Sequence, residues 1–180
     1  NFGPIELIED ASVYGGASTN GHDGIRKFNG AIKGSGKLIF NGVNRNQFRL
    51  ENANTFSGGL MAHSTQNEPF YIVAAADASF GTGDVHLKEN SSLIIEANLN
   101  DTIANTAALS LEGVGSLRVN GGGADPNKLY KLLLQSDETV AGFFIDGVDQ
   151  GEGLFSGETH PAITGPGKLT VKRPANSLLA

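Results

Sequence analysis

The chain contains no cysteine, no tryptophan and only one methionine, and no stretch approaches the roughly 18 consecutive apolar residues that a membrane span requires. The absence of cysteine excludes disulfides, thiol nucleophiles and cysteine-bound zinc. The absence of tryptophan leaves three tyrosines and ten phenylalanines as the large aromatic side chains. The net charge is −6 and the basic residues are spread along the chain, whereas binding to nucleic acid needs a basic stripe. We therefore expect neither a nucleic-acid partner nor insertion into a membrane.

Glycine, by contrast, is abundant, with 25 residues among 180, which is about twice its usual share. Apolar residues come in short runs that end at glycine, asparagine, aspartate or serine. This pattern is typical of many short β-strands joined by tight turns, and it predicts an all-β protein.

One motif occurs four times, at 34–40, 81–87, 113–119 and 165–171: Gly-x-Gly, one further residue, and then apolar-x-apolar. The glycine pair lets the backbone turn sharply, and the alternation sends two apolar side chains of each copy to the same face. The predicted core therefore includes Leu38, Phe40, Val85, Leu87, Leu117, Val119, Leu169 and Val171.

Short repeats of this kind cannot bury a face alone, but they form a continuous core when they are stacked. We therefore predict one right-handed parallel β-helix that comprises the whole chain, 1–180. The intervals between the first glycines are 47, 32 and 52 residues, which indicates a degenerate repeat with insertions. A β-sandwich of the jelly-roll type is the alternative, although it does not call for the same turn four times.

The stretch 31–59 carries a family resemblance. It contains Gly-Ser-Gly-Lys-Leu-Ile-Phe-Asn-Gly and then Asn-Thr-Phe-Ser-Gly-Gly. It resembles the autotransporter-associated β-helix repeat, which runs from a Gly-x-Gly strand to an Asn-Thr-Tyr-x-Gly-Gly turn; Phe56 stands where tyrosine is usual. The segment 78–85 is similar to that family's Ala-Leu-Gly-Thr-Gly step. The resemblance implies export, and thus a secreted or cell-surface location.

The C-terminal part, with Phe-Ile-Asp-Gly-Val-Asp-Gln at 144–150 and His-Pro-Ala-Ile at 160–163, resembles the closing segment of such repeat regions. That resemblance implies a capping segment at about 141–173, in an exported bacterial protein that carries further domains. The chain also resembles, in fold, a class of carbohydrate-binding modules attached to xylan-degrading enzymes.

These resemblances favour a non-catalytic carbohydrate-binding module of a secreted bacterial polysaccharide-degrading enzyme, with a plant polysaccharide such as xylan as its partner. Two alternatives stay open: a structural or adhesive passenger segment of an autotransporter-like surface protein, and a β-helix lyase or hydrolase. Hydrolases on this fold need closely spaced aspartates as acid and base. The sequence has no adjacent pair of aspartates, and Asp77, Asp84 and Asp101 stand singly in predicted turns. We therefore expect no catalytic residues.

Sugar binding needs flat apolar surfaces and planar polar groups. Alternation in the run 70–74 places Phe70, Ile72 and Ala74 inside, so that Tyr71 faces outward on a flat ledge. Tyr71 heads the predicted ligand-binding residues, which also include His63, Gln66, Asn67 and Glu68 just before it and a second polar row formed by Arg45, Gln47 and Arg49. The competing interpretation is that these are ordinary surface residues.

No cofactor is expected and no metal ligands are assigned. Carboxylates and amides leave room for calcium at two places, one formed by Asp146, Asp149 and Glu152, the other by Asn98, Asn100 and Asp101. A hairpin turn with solvated side chains explains the first group better. His86 occupies an outward position between Val85 and Leu87, and we interpret it as a solvated strand residue.

Overall fold

The computed structural model describes residues 2–15, 24–43, 46–64, 70–113 and 131–174. Every regular element in these residues is a β-strand, and the strands stack as parallel coils into a β-solenoid of about four turns. The predicted parallel β-helix class is confirmed. The jelly-roll alternative is excluded because the two long sheets are built almost entirely from parallel neighbours.

Two long sheets form two sides of the solenoid. The seven-stranded sheet contains β2 (Ala11–Tyr14), β5 (Leu38–Gly42), β7 (Leu60–Ser64), β9 (Val85–Leu87), β11 (Ala108–Leu111), β14 (Gly142–Ile145) and the antiparallel β15 (Val148–Asp149). The six-stranded sheet contains β3 (Ile25–Phe28), β6 (Gln47–Leu50), β8 (Phe70–Ala74), β10 (Ser91–Ile95), β12 (Leu132–Leu134) and β17 (Ile163–Thr164).

A third side is less regular and links the two long sheets. It begins with the parallel pair β1 (Ile5–Leu7) and β4 (Ile32–Gly34), and it ends with β13 (Glu138–Val140), β18 (Leu169–Val171) and the antiparallel β16 (Gly153–Phe155). Between them the chain continues the stack without regular strands, through backbone bonds such as Thr55 N to Ile32 O and Asn54 N to Ala78 O. Each coil therefore has three sides.

One coil takes 22 to 25 residues in the middle of the solenoid. Leu38 pairs with Leu60, Leu60 with Val85, and Val85 with Leu109 on neighbouring strands of the seven-stranded sheet. Parallel strands in this register repeat about every 4.8 Å, so residues far apart in sequence become stacked neighbours.

The core prediction is confirmed wherever the structure describes the residues. The side chains of Leu38, Phe40, Val85, Leu87, Leu169 and Val171 are all buried. Leu117 and Val119 lie outside the described residues. Phenylalanines from successive coils also form a column: ring centroids are 5.5 Å apart for Phe28 and Phe40, 4.7 Å for Phe40 and Phe48, and 5.9 Å for Phe48 and Phe70. Such aromatic pairs add about 0.5–1.5 kcal/mol each beyond simple burial.

The four Gly-x-Gly copies do not occupy equivalent corners, which explains their irregular spacing. The copies at Gly34 and Gly81 precede strands of the seven-stranded sheet, Gly113 follows β11, and Gly165 lies between β17 and β18. All four of these glycines have left-handed backbone, with φ of +113°, +69°, +68° and +97° in that order. The coil between those of Gly34 and Gly81 lacks the motif at this corner, and its left-handed residue there is Gly59, with φ of +86°.

Isolated aspartates in the turns join one coil to the next. In each case a carboxylate oxygen accepts a backbone N–H from a neighbouring coil at 2.6–2.9 Å. The pairs are Asp10 with Lys37, Asp77 with Asn100, Asp84 with Ala108, Asp137 with Lys168 and Asp146 with Gly113. Hydrogen bonds to a charged acceptor are stronger than neutral ones. These carboxylates thus satisfy backbone donors at the corners, where the strand ladders are interrupted.

On the third side, two buried polar side chains also bind backbone groups of neighbouring coils. Asn54 bridges three coils, because its Oδ1 accepts from Ile32 N at 2.7 Å and its Nδ2 donates to Ser79 O at 2.6 Å. Glu138 accepts from the backbone N of Thr102 at 3.0 Å and from its hydroxyl at 2.5 Å. Burial nevertheless raises the pKa of the Glu138 carboxyl above its ordinary value, although these hydrogen bonds oppose the shift.

The C-terminal end departs from the parallel pattern. β15 pairs antiparallel with β14, and β16 pairs antiparallel with β18. The rings of Phe155 and His160 pack edge-on against Phe143, with centroids 5.4 and 5.8 Å away. Strand order and aromatic packing both change within the segment that the family resemblance assigns to a cap.

We predict that Gly34→Ala destabilises the fold by more than about 2 kcal/mol. Alanine would have to adopt the left-handed backbone conformation of Gly34, and its Cβ would collide with the backbone of the preceding coil. That Cβ would lie 2.1 Å from the carbonyl oxygen of Leu7 on the preceding coil. The matched control is Gly147→Ala, where φ is +79° but the Cβ would meet nothing within 4 Å. Urea unfolding should show a much larger loss for Gly34→Ala, and equal losses would contradict close stacking at this corner.

We also predict that Glu138→Gln changes how stability depends on pH. Since the pKa of Glu138 is raised on folding, the folded protein binds more protons than the unfolded chain between the ordinary and the raised value. Wild-type stability therefore falls as the pH rises through that window, and the variant lacks this loss. The difference in unfolding free energy, variant minus wild type, should increase from about pH 4 towards neutrality. Parallel stability curves would contradict the prediction.

Candidate functional site

The outer face of the six-stranded sheet carries three of the predicted ligand-binding residues. Tyr71 on β8 and Gln47 on β6 are register partners, and both are half-buried and point outward. Phe70, Ile72 and Ala74 lie inside, as the alternation predicted. The outward position of Tyr71 is therefore confirmed, although its side chain is only partly exposed.

Arg49, the third of these residues, is held in a network of ion pairs. Its guanidinium binds both carboxylate oxygens of Glu96, at 2.7 Å for Nη2, and its Nε lies 2.8 Å from Glu51. The hydrogen bond to Glu96 raises the pKa of Arg49 further above its ordinary value. The ammonium of Lys27, 3.0 Å from Glu51, lowers the pKa of that carboxyl. These contacts tie three coils together across the outer face and leave little of the Arg49 fork for a ligand.

His63 lies apart from Tyr71. It projects from β7 on the outer face of the seven-stranded sheet, whereas Tyr71 belongs to the six-stranded sheet. The remaining predicted residues, Arg45, Gln66, Asn67 and Glu68, lie outside the described residues. The predicted set is thus divided between two faces.

The outer face of the seven-stranded sheet carries two rows of side chains that cross the strands. The first row, in register from β2 to β14, is Ser12, Ile39, Met61, His86, Ser110 and Phe144. The second row is Tyr14, Asn41 and His63, followed by Lys88 and Glu112 just after β9 and β11. At about 4.8 Å between strands, the six positions of the first row extend over about 24 Å and the five positions of the second row over about 19 Å.

A groove runs beside the first row, along the corner with the third side of the solenoid. One part, of about 380 Å³, is lined by Lys37, Ser57, Met61, Asp84, His86 and Ser110, among others. A second part, of about 240 Å³, shares Asp84 and continues past Phe144 to Asp149 and Arg173. Polar groups and apolar side chains alternate along both parts. Together with the two rows, this groove forms an extended surface rather than a closed pocket.

Carboxylates accompany the basic groups of this face. His86 Nε2 lies 2.6 Å from Glu112 Oε1, and Lys88 Nζ lies 4.0 Å from the other oxygen of the same carboxylate. His63 Nε2 lies 3.2 Å from Glu89 Oε2. Glu89 itself has left-handed backbone, with φ of +47°. A non-glycine residue in this conformation is strained, and such strain is concentrated at functional sites.

Lys131 is a buried side chain that donates a hydrogen bond to the turn at Glu89. Its side chain is almost fully buried, and its Nζ donates to the carbonyl oxygen of Glu89. Burial lowers the pKa of the Lys131 ammonium to about 7, while the charges of Asp146, Glu112 and Glu89 oppose that shift. A buried lysine without a full ion pair is uncommon, and it was not evident from the sequence.

Serine, histidine and glutamate also lie next to one another on this face, in Ser110, His86 and Glu112. Ser110 and His86 are register partners on β11 and β9. Nucleophilic catalysis requires the base to hydrogen-bond the hydroxyl. The hydrogen bonds that the structure describes join His86 to Glu112 and none joins it to Ser110. The arrangement therefore offers polar contacts to a ligand and lacks the contact that would activate the serine.

At the first of the two possible calcium positions, formed by Asp146, Asp149 and Glu152, the carboxylates already accept hydrogen bonds from protein donors. Asp149 accepts from Gly151 N and pairs with Arg173, and Glu152 accepts from Arg173 N at 2.9 Å. Within the described ranges no three histidine, aspartate or glutamate side chains come together in a way that could hold a metal ion. Calcium binding stays a prediction.

The sequence reasoning missed Tyr14, Asn41 and Met61 as members of one surface. Tyr14 is 73% exposed, and it stands directly beside Asn41, which stands beside His63. The intervals that join these positions are 27 and 22 residues, each the length of one coil, so that no single fixed period in the sequence marks the row.

Comparison of the chain with family models, with curated proteins and with solved structures finds no match. In the described part of the chain, no helix is long and apolar enough to span a bilayer. The resemblance to β-helix repeats of exported proteins is supported at the level of the parallel solenoid fold.

Proposed function

We propose that this domain is a non-catalytic carbohydrate-binding module of a secreted bacterial polysaccharide-degrading enzyme, and that a plant polysaccharide such as xylan lies along the outer face of the seven-stranded sheet. The observation that carries the proposal is the register of Tyr14, Asn41 and His63, which places an exposed aromatic ring, an amide and an imidazole side by side on three strands. The first row adds the apolar side chains of Ile39 and Met61 directly alongside.

The chemistry of these side chains suits a sugar. A pyranose ring has an apolar C–H face, which packs on aromatic and aliphatic surfaces, and a rim of hydroxyls, which needs planar donors and acceptors. Tyr14 and Met61 supply the apolar contacts. Asn41 donates and accepts through one amide, and His63 and His86 add ring nitrogens at the neighbouring positions.

The shape of the face favours a chain over a single sugar. The first row extends across six strands, and the groove runs beside it. A single stacking contact gives weak affinity, so that binding depends on several coils acting together. An extended polysaccharide that lies along the solenoid axis meets this requirement.

The use of the aspartates supports a binding role rather than a catalytic one. Asp84, the acid that both parts of the groove share, accepts the backbone N–H of Ala108 at 2.8 Å. Asp149, at the far end of the groove, is bound to Arg173 and to Gly151. Glycoside hydrolysis needs two carboxylates free to move a proton and to attack or activate water. These two are instead used to hold the fold.

We predict that Tyr14→Ala weakens binding to the best polysaccharide by about 0.5–1.5 kcal/mol, the value of an aromatic stacking contact. Tyr71→Ala is the matched control, because it removes the same side chain from the other long sheet. Calorimetry with xylo-oligosaccharides of increasing length should show rising affinity for wild type and a uniform loss for Tyr14→Ala. A loss confined to Tyr71→Ala, with an unchanged melting temperature, would move the site to the six-stranded sheet. Absence of any glycan binding would favour a structural or adhesive passenger segment.

We further predict that the domain does not cleave polysaccharides. Incubation with xylan, pectate and alginate should produce neither new reducing ends nor unsaturated products. Turnover that disappears in Asp84→Asn, while the protein keeps its melting behaviour, would contradict the proposal and reinstate a hydrolase or lyase.

A further inference from the structure

The charges on the outer face of the seven-stranded sheet set what kind of glycan can lie there. Along the rows and the groove, the described lysines and arginines are Lys37, Lys88 and Arg173. The described carboxylates are Asp84, Glu89, Glu112, Asp146 and Asp149. Three fixed positive charges thus face five negative ones. The described residues of this surface therefore offer no net attraction to a polyanion.

Two of these carboxylates lie on the surface that the proposed polysaccharide would cover. Glu89 and Glu112 have side chains that are 58% and 44% exposed, and each one engages a basic group of the rows. Glu89 faces His63, while Glu112 faces both His86 and Lys88. The basic groups that could otherwise bind a sugar carboxylate are therefore already paired, and the pairs present their acidic members to solvent.

The position of both carboxylates is fixed by the coil stack. Glu112 donates its backbone N–H to Leu87 O at 2.8 Å, which sets its side chain beside Lys88 on the preceding coil. Glu89 lies in the strained turn that Lys131 holds through its carbonyl oxygen. Both positions are therefore set by contacts within the coil stack.

We infer that this face selects uncharged polysaccharides, and that Glu89 and Glu112 are the specificity-determining residues that reject acidic glycans such as polyuronates. The inference rests on the proposed function, since it names the substrate class of the same site. A uronate on the bound chain would meet a carboxylate on two successive coils, and like charges brought together at an interface cost affinity. Neutral rings meet the same residues as hydrogen-bond acceptors.

The test compares unsubstituted xylan with polygalacturonate, by affinity electrophoresis and by calorimetry at low and at high ionic strength. Wild type should bind xylan with little dependence on salt, because exposed charges contribute little to hydroxyl and stacking contacts. It should bind polygalacturonate at least about tenfold more weakly at low ionic strength.

The decisive variant is the double substitution Glu89→Gln with Glu112→Gln, which keeps the shape of both side chains and frees His63, His86 and Lys88. The ratio of polygalacturonate to xylan affinity should rise about tenfold or more, and the gain should vanish at high salt. The control is Glu6→Gln with Glu158→Gln, which makes the same change in net charge at exposed positions elsewhere. It should leave the ratio at its wild-type value.

Three results would overturn the inference. The first is strong, salt-dependent binding of polygalacturonate by wild type, and the second is an unchanged affinity ratio in the double variant. Both would overturn the inference and leave the proposed function intact. A control variant that gains as much as the double variant would show that net charge, and not these two carboxylates, sets the preference. Failure of wild type to bind any polysaccharide would refute the proposed function itself.

Discussion

The distance between coils is the constraint on which the structure depends. Parallel strands stack about 4.8 Å apart in the two long sheets, and at the corners that the structure describes one backbone passes directly over another. At Gly34 a side chain has no space, because its first carbon would meet the carbonyl oxygen of Leu7. At the same corners the ladder of backbone bonds is interrupted, and side chains such as Asp10 and Asp84 accept the free N–H groups. Glycine at the turns thus allows the close approach of two backbones, and aspartate binds the backbone N–H groups that this approach leaves without a strand partner.

This stacking also assigns different roles to the two long sheets. Inside, aliphatic side chains and the column from Phe28 to Phe70 fill the space between them. On the outer face of the six-stranded sheet, the ion pair of Arg49 with Glu96 joins two coils that lie on either side of a third. On the outer face of the seven-stranded sheet, His63 and His86 pair with glutamates of the following coil, and aromatic, amide and imidazole groups stand in rows beside these pairs. We propose that the ligand binds on this second face.

Alternation within each short strand was sufficient to predict which of its side chains are buried, because burial repeats every second residue, and the recurring Gly-x-Gly turn favoured the parallel β-helix over the jelly roll. Phe40 and Leu87 could be placed inside from their immediate neighbours alone. The site could not be predicted in this way. Whether Tyr14 lies beside Asn41 depends on the length of the coil, and the Gly-x-Gly motifs marked three different corners rather than one position per coil. The pairing of Arg49 with Glu96 spans two coils, and it likewise has no local signal.

The register of the rows has a consequence for how such a domain changes in evolution. Each central coil of 22 to 25 residues contributes one side chain to each row. Duplication or loss of one coil would therefore lengthen or shorten the surface by one strand spacing, about 4.8 Å, and would leave the neighbouring contacts unchanged. The length of the surface is therefore set by the number of coils. In a closed pocket, a comparable change in size would require many lining residues to change together.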